Sequence, residues 1–187
     1  MEEQKYLFRD LREDEIECRV AQATENGVSL LLYKDARVDQ NILDEKFGPM
    51  NWQRHHTRDN ANCIVSIWDS EKKQWIEKED TGTESNTEAA KGLASDSFKR
   101  ACFNWGIGRE LYTAPRIWIP AANCTALKSS TGRDGKVRWQ CYDDFDVEKI
   151  VIEDKHIVAL AIKNTKTKKR VFIWQDEDFK KKKEEQK

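Results

Sequence analysis

Residues 85–118 read SNTEAAKGLASDSFKRACFNWGIGRELYTAPRIW, and the first half of that stretch reads as one helix. Ser85, three residues before Glu88, predicts a capping box that satisfies free amides at the helix start. Ala90, Leu93, Ala94, Ser97, Phe98, Ala101, Cys102 and Trp105 fall at spacings of three and four, one continuous apolar or small face. Gly106 and Gly108 follow where a left-handed C-terminal cap is expected. Lys91, Ser95 and Lys99 form a stripe four residues apart, with Arg100 about 100° round from Lys99. Spacing alone favours a solvated charged face with Asp96 and Arg100 as an i,i+4 pair. The alternative is a row of phosphate contacts held rigid by the helix.

Upstream of this helix, Asn51–Thr57, Cys63–Asp69 and Gln74–Thr81 read as three strands joined by short polar loops at 58–61 and 70–73. Ile64, Ser66 and Trp68 alternate with Val65, Ile67 and Asp69, as a strand with two distinct faces requires. The result is an α+β fold: an antiparallel strand-strand-strand-helix core in which the long helix covers one sheet face. Asp35–Phe47 returns to helical spacing, with Val38, Ile42, Leu43 and Phe47 inward and Gly48-Pro49 as the stop. Val28–Tyr33 reads as a strand, and its three leucines imply burial on both faces or at a subunit contact. Residues 1–26 read as helical, with Ile16, Val20 and Ala23 as a thin apolar stripe ended by Gly27.

After Trp118 the pattern changes. Ile119–Ser130 reads as an irregular connection, and Asp134-Gly135 as the turn of a hairpin between 129–133 and 136–141. Gly132 to Lys136 lacks the spacing of a nucleotide-binding loop, and Val137 stands where Ser or Thr is needed. Phe145–Ile152, His156–Lys163 and Arg170–Trp174 form a further meander. The expected organisation is a core at 1–118, a strand-rich extension at 119–176 and a disordered charged tail at 177–187. From Lys166 onward there are nine Lys or Arg against five Asp or Glu, a local +4. That charge keeps a tail soluble and adds non-specific attraction to phosphates.

Charged residues make up 36% of the 187, yet the net charge is −1, so a polyanion-binding surface would have to be concentrated locally. The five cysteines, at 18, 63, 102, 124 and 141, are odd in number and show no CxxC pair. With His55, His56 and His156 they complete no metal-ligand spacing, so reduced thiols and no metal or other cofactor are expected. The charged N-terminus and the absence of a long apolar run predict a protein that is intracellular, without a signal peptide or a membrane span.

The segment KGLASDSFKRACFNWGIGRELY resembles the helix signature of the Rad-fifty-two/Rad-twenty-two family of single-strand annealing proteins in double-strand-break repair. A second match runs from Asp35-Ala36-Arg37-Val38 through Phe47-Gly48-Pro49-Met50-Asn51-Trp52, in the family's order. The resemblance covers roughly residues 12–118 and is nearest to the short phage type, since the long eukaryotic partner-binding tail is missing. It implies an ATP-independent, non-enzymatic protein of DNA recombination and repair, cytoplasmic in a bacterial host. Such a protein holds single-stranded DNA by its phosphates while complementary bases pair, and duplex DNA stays open as a further ligand. It also implies a homo-oligomeric ring, with a single-strand binding protein or exonuclease of host or phage as candidate partner. Carried onto this sequence, the DNA-binding residues are Lys99 and Arg100, then Arg37 and Lys91, with Arg109 extending the path unless it pairs with Glu110. Two departures stand out. Pro49 and Met50 occupy the place of a family aromatic, and Phe103 replaces an arginine four residues beyond Lys99.

Two rival classes follow from the residues. Asp69 with Glu71-Lys72-Lys73 could hold a divalent cation in a nuclease, although a tight polar turn is the plainer reading. The same fold could also serve as a binding module without annealing activity. Trp52 and Trp105 are candidate stacking platforms, Trp105 being the more natural core residue.

Overall fold

A computed structural model of the chain describes residues 7–83 and 89–185. In chain order its elements are β1 (Glu17–Thr24), β2 (Gly27–Tyr33), α1 (Ala36–Phe47), β3 (Trp52–Thr57), β4 (Asn62–Asp69), β5 (Gln74–Thr81) and α2 (Ala89–Trp105). Then come β6 (Ile117–Pro120), β7 (Leu127–Thr131), β8 (Val137–Cys141), β9 (Phe145–Glu153), β10 (His156–Asn164), β11 (Arg170–Gln175) and α3 (Glu177–Glu185). All sheets are antiparallel, so the fold is α+β and dominated by strands.

The chain divides into two compact units that interleave in sequence: residues 1–10 with 35–109, and residues 11–34 with 110–187. The boundary expected at 118 does not coincide with this partition. Within 11–34 β1 pairs with the adjacent β2, and no local signal assigns the pair to the second unit, because β2–β6 and Glu17–Asp146 join segments far apart in sequence.

In the first unit β3, β4 and β5 form a three-stranded meander in that order. Register places Trp52, Arg54 and His56 opposite Ile67, Val65 and Cys63, and those three opposite Ile76, Lys78 and Asp80. That face carries α2. Cys63, Val65 and Ile67 are buried with Phe98, Ala101 and Cys102 of the helix and Ile42 and Leu43 of α1. The Trp52 and Phe98 rings stack at 6.2 Å, and the Trp105 indole donates to the Val65 carbonyl at 3.0 Å. α2 ends as its glycines require: Ile107 N–H donates to Cys102 O and Gly106 N–H to Phe103 O, with φ of 104° at Gly106. The capping box expected at Ser85 and Glu88 lies outside the described residues.

In the second unit six strands run in the order β11-β10-β9-β1-β2-β6, and β7 and β8 form a separate hairpin. The helix expected over residues 1–26 is not found among the described residues from 7 onward. Glu17–Thr24 is a strand that pairs with β2 and, at Glu17, with Asp146 of β9. A bulge between Val20 and Gln22 explains the misreading. Period-two spacing through Ile16, Cys18 and Val20, then one extra residue before Ala23, imitates helical steps of four and three. The connection expected at 119–130 is also corrected, since Ile117–Pro120 pairs with β2. Gly27 permits that approach, for a Cβ there would lie 2.2 Å from the Ile119 carbonyl oxygen. The leucine run of β2 is not buried on both faces: Leu30 is buried while Leu31 is 52% exposed.

The tail expected to be disordered is helical over Glu177–Glu185. Asp176 caps it, accepting from the Asp178 amide through its side chain and from the Lys180 amide through its carbonyl. Phe179 is buried beneath it, and an anchored aromatic is enough to hold a charge-rich helix in place. Asp134-Gly135 does turn a hairpin, with Gly135 at φ 74° and β7 and β8 paired from Leu127–Cys141 to Thr131–Val137.

Candidate nucleic-acid interface

The basic residues singled out in the sequence fall on two flanks of α2. Toward α1, the Asp35 side chain caps the helix by accepting the Arg37 amide at 2.7 Å. The same carboxylate takes the Arg37 guanidinium at 3.0 Å. Arg37's hydrogen bonds hold the Asp35 carboxyl below its ordinary value, and the positive charge of Lys99 adds to the effect. Arg37 and Lys99, from different helices and 62 positions apart in sequence, therefore bear on one acid. The Arg37 side chain is 83% exposed, and Lys99 is half-buried beside the fully buried Phe98. Both cations sit on helices fixed by core packing.

Toward β5 the arrangement differs. Arg100 pairs with Asp80 at 3.3 Å, and Asn104 donates to the same carboxylate at 3.2 Å. The expected Asp96–Arg100 pair is not formed, because Asp96 accepts from the amide and hydroxyl of Thr83. Arg109 does not pair with Glu110. It donates to Phe103 O at 2.9 Å and Asn104 O at 2.8 Å, and its guanidinium carbon lies 5.5 Å from the Phe103 ring centroid. Lys78 also donates to Asn104 O, at 2.9 Å. Two cations thus close the carboxyl end of α2, where the helix dipole favours positive charge. Lys91 lies in α2, but its side chain is outside the described residues.

Arg54 and Lys78 are missing from the sequence reading. Their place on the helix-bearing sheet face follows from register, with both opposite Val65. Arg54 lies 4.8 Å from the Phe98 centroid and Lys78 4.5 Å from that of Trp105, so both cations cover aromatic faces. The signal was there in Ile76-Glu77-Lys78, where a cation shares strand parity with a core residue. Trp52 and Trp105 are occupied within the unit: the Trp52 indole donates to Asp44 at 2.6 Å, while Trp105 is held by Val65.

His56 faces the buried Ser97 hydroxyl, with Nδ1 3.4 Å from Oγ. Burial pushes its pKa below the ordinary value, and the charge of neighbouring Arg54 pushes it the same way. The acidic turn considered for cation chemistry is a turn. Asp69 accepts the amides of Glu71 and Lys72 at 3.0 and 2.9 Å and pairs with the Lys72 ammonium at 3.2 Å.

No protein-family model matches the chain, and no curated protein matches it. No helix among the described residues is long and apolar enough to cross a membrane.

Proposed function

We propose that the protein binds single-stranded DNA and anneals complementary strands without ATP, as a recombination and repair protein that works as an oligomer. One observation carries the reading: Arg37 pairs with Asp35 at the start of α1 at 3.0 Å, and the positive charge of Lys99 on α2 acts on the same carboxylate, at the two positions to which the family resemblance also assigns DNA contacts. Cations held at fixed spacing on packed elements suit a backbone ligand, because phosphate contacts position a strand without reading its sequence. The base edges stay free to sample a second strand, and base pairing itself drives the product. The protein raises local strand concentration and opposes self-structure. No bond is made or broken, so no catalytic group is required. Arg100, paired with Asp80 at 3.3 Å on the β5 side of α2, makes a secondary contact, and Arg109 supports the helix end.

The test mixes two complementary labelled strands at low concentration and follows pairing with and without the protein, omitting ATP and metal. Acceleration that is lost in Lys99→Gln/Arg37→Gln supports both the function and its site. Single-strand binding without acceleration leaves a binding module, and absence of both refutes the proposal.

A further inference from the structure

Cys124 stands 17 positions before Cys141 and Asp143 two after it, no recognised metal-ligand spacing, yet the second unit brings their ligand atoms within 4.8 Å of one another. Cys124 follows the short 3-10 turn after β6, Cys141 is the last residue of β8, and Asp143 sits just before β9. The β7–β8 hairpin supplies the convergence by returning the chain to where it left the sheet: Leu127 pairs with Cys141, and the Tyr142 amide donates to Ala126 O at 3.1 Å.

The Asp143 carboxylate is 6% exposed and rigidly aimed. It accepts the amides of Thr125 and Ala126 at 2.7 and 2.9 Å, the Asn164 side-chain amide at 3.1 Å and the Thr125 hydroxyl. Its last contact is the Cys141 thiol, at 3.4 Å from Oδ2. The Cys124 thiol donates to Pro120 O at 3.7 Å. Each sulfur therefore lies within hydrogen-bonding distance of an oxygen, Pro120 O for Cys124 and Asp143 Oδ2 for Cys141, and each thiol proton is replaceable by a cation.

We propose that Cys124, Cys141 and Asp143 form a site for a thiophilic divalent cation of the zinc class. A tetrahedral zinc with Zn–S bonds of about 2.3 Å holds two sulfurs ~3.8 Å apart, within the span already present. On binding, each thiol releases its proton to solvent and each sulfur donates its electron pair to the cation. Asp143 Oδ2 exchanges the S–H for the metal, and water or Pro120 O completes four ligands. The Thr125, Ala126 and Asn164 donors act as the outer shell that fixes the carboxylate. No change of oxidation state is involved. The cation would pin the base of the hairpin to the sheet, a structural role independent of any DNA-binding activity.

The test uses the full reduced chain titrated with Cd²⁺, whose charge-transfer band reports thiolate ligation, followed by competition with Zn²⁺. One equivalent should saturate the band, and Zn²⁺ should remove it. Cys124→Ser and Cys141→Ser should each abolish it, whereas Cys18→Ser should leave it intact. Peptide-level alkylation of the unaltered chain guards against misfolded variants: one equivalent of Zn²⁺ should slow modification of Cys124 and Cys141 at least tenfold and leave Cys18 unchanged. A band that survives loss of both cysteines, absence of Zn²⁺ protection, or quantitative conversion of the pair to a disulfide in place of metal binding would each overturn the proposal.

Discussion

Gly82 lies against the backbone of Ser97, so close that a Cβ on Gly82 would sit 2.5 Å from the Ser97 nitrogen and 2.9 Å from the Leu93 carbonyl oxygen. The contact joins the exit of β5 to the middle of α2, where Ser97 is fully buried and its hydroxyl donates to Asn60 O at 2.9 Å. The Gly82 amide is itself tied to Ala61 O at 2.7 Å. Neither side can give, since both are hydrogen-bonded main chain. Gly82→Ala should therefore destabilise the fold by about 1–3 kcal/mol, the usual cost of overpacking. Equilibrium urea denaturation measures it, and a midpoint equal to that of the unaltered chain would show that the approach relaxes freely.

The same seam contains a titratable group. His56 has a folded-state pKa below its ordinary 6.5 because burial, and then Arg54, disfavour the charged imidazolium. Its unfolded value is the ordinary one. The unfolded chain thus binds more protons as pH falls through the mid-six range, and stability declines from that point downward. The contribution is fully present above about pH 7 and is lost as pH falls through the folded value. His56→Gln keeps a side chain that can hydrogen-bond and removes the titration. Denaturation midpoints between pH 7 and 5 should fall more steeply in the unaltered chain than in the variant. Parallel slopes would mean that His56 titrates normally.

The contrast between the two units explains what sequence can reveal. The β3–β5 meander and α2 were legible because neighbouring strands pair with each other, and their alternation and glycine stops are local signals. β1 was not, because the bulge after Val20 replaces one step of two with a step of three, and only pairing with distant β9 and adjacent β2 holds the segment extended. α3 was hidden by its lysine run, the informative residue being the buried Phe179. At the candidate interface the resemblance pointed to Arg37 and Lys99, but no spacing rule could show that Arg37 is held by Asp35 and that the charge of Lys99 acts on the same carboxylate. It could not foresee that Arg109 turns back onto the end of its own helix either. Cys124 and Cys141 met only once the hairpin had closed.

Glu110 is fully buried, with one carboxylate oxygen accepting the Leu11 amide at 2.8 Å and the other 3.9 Å from Lys155 Nζ. The Lys155 side chain is itself only 10% exposed. Removing one partner of such a pair leaves an uncompensated buried charge, which costs about 3–5 kcal/mol. Lys155→Met should show that loss in chemical denaturation. Glu110→Gln/Lys155→Met removes both charges while keeping an acceptor for Leu11, and should recover most of it. A double-mutant cycle isolates the coupling. Additive losses would mean that the ammonium does not compensate the carboxylate.

The proposed strand-binding role makes a quantitative claim about salt. Each phosphate neutralised on a single strand contributes about 0.7 to the slope of log affinity against log salt. Lys99→Gln and Arg37→Gln should each lower that slope by about 0.7, and the double variant by about 1.4, because each removes one phosphate contact. The loss should be the same for homopolymer and mixed-sequence strands, since backbone contacts do not read bases. Lys99→Gln should leave the folding midpoint within about 0.5 kcal/mol of the unaltered protein, whereas Arg37→Gln also removes two hydrogen bonds to Asp35 and should cost up to about 1 kcal/mol. Arg109→Gln is the internal contrast. It removes two hydrogen bonds to the carbonyls that end α2, so it should lower stability while leaving the salt slope nearly unchanged. If Arg109→Gln lowers the slope and Lys99→Gln does not, the strand runs past the end of α2 and not along the Asp35 flank.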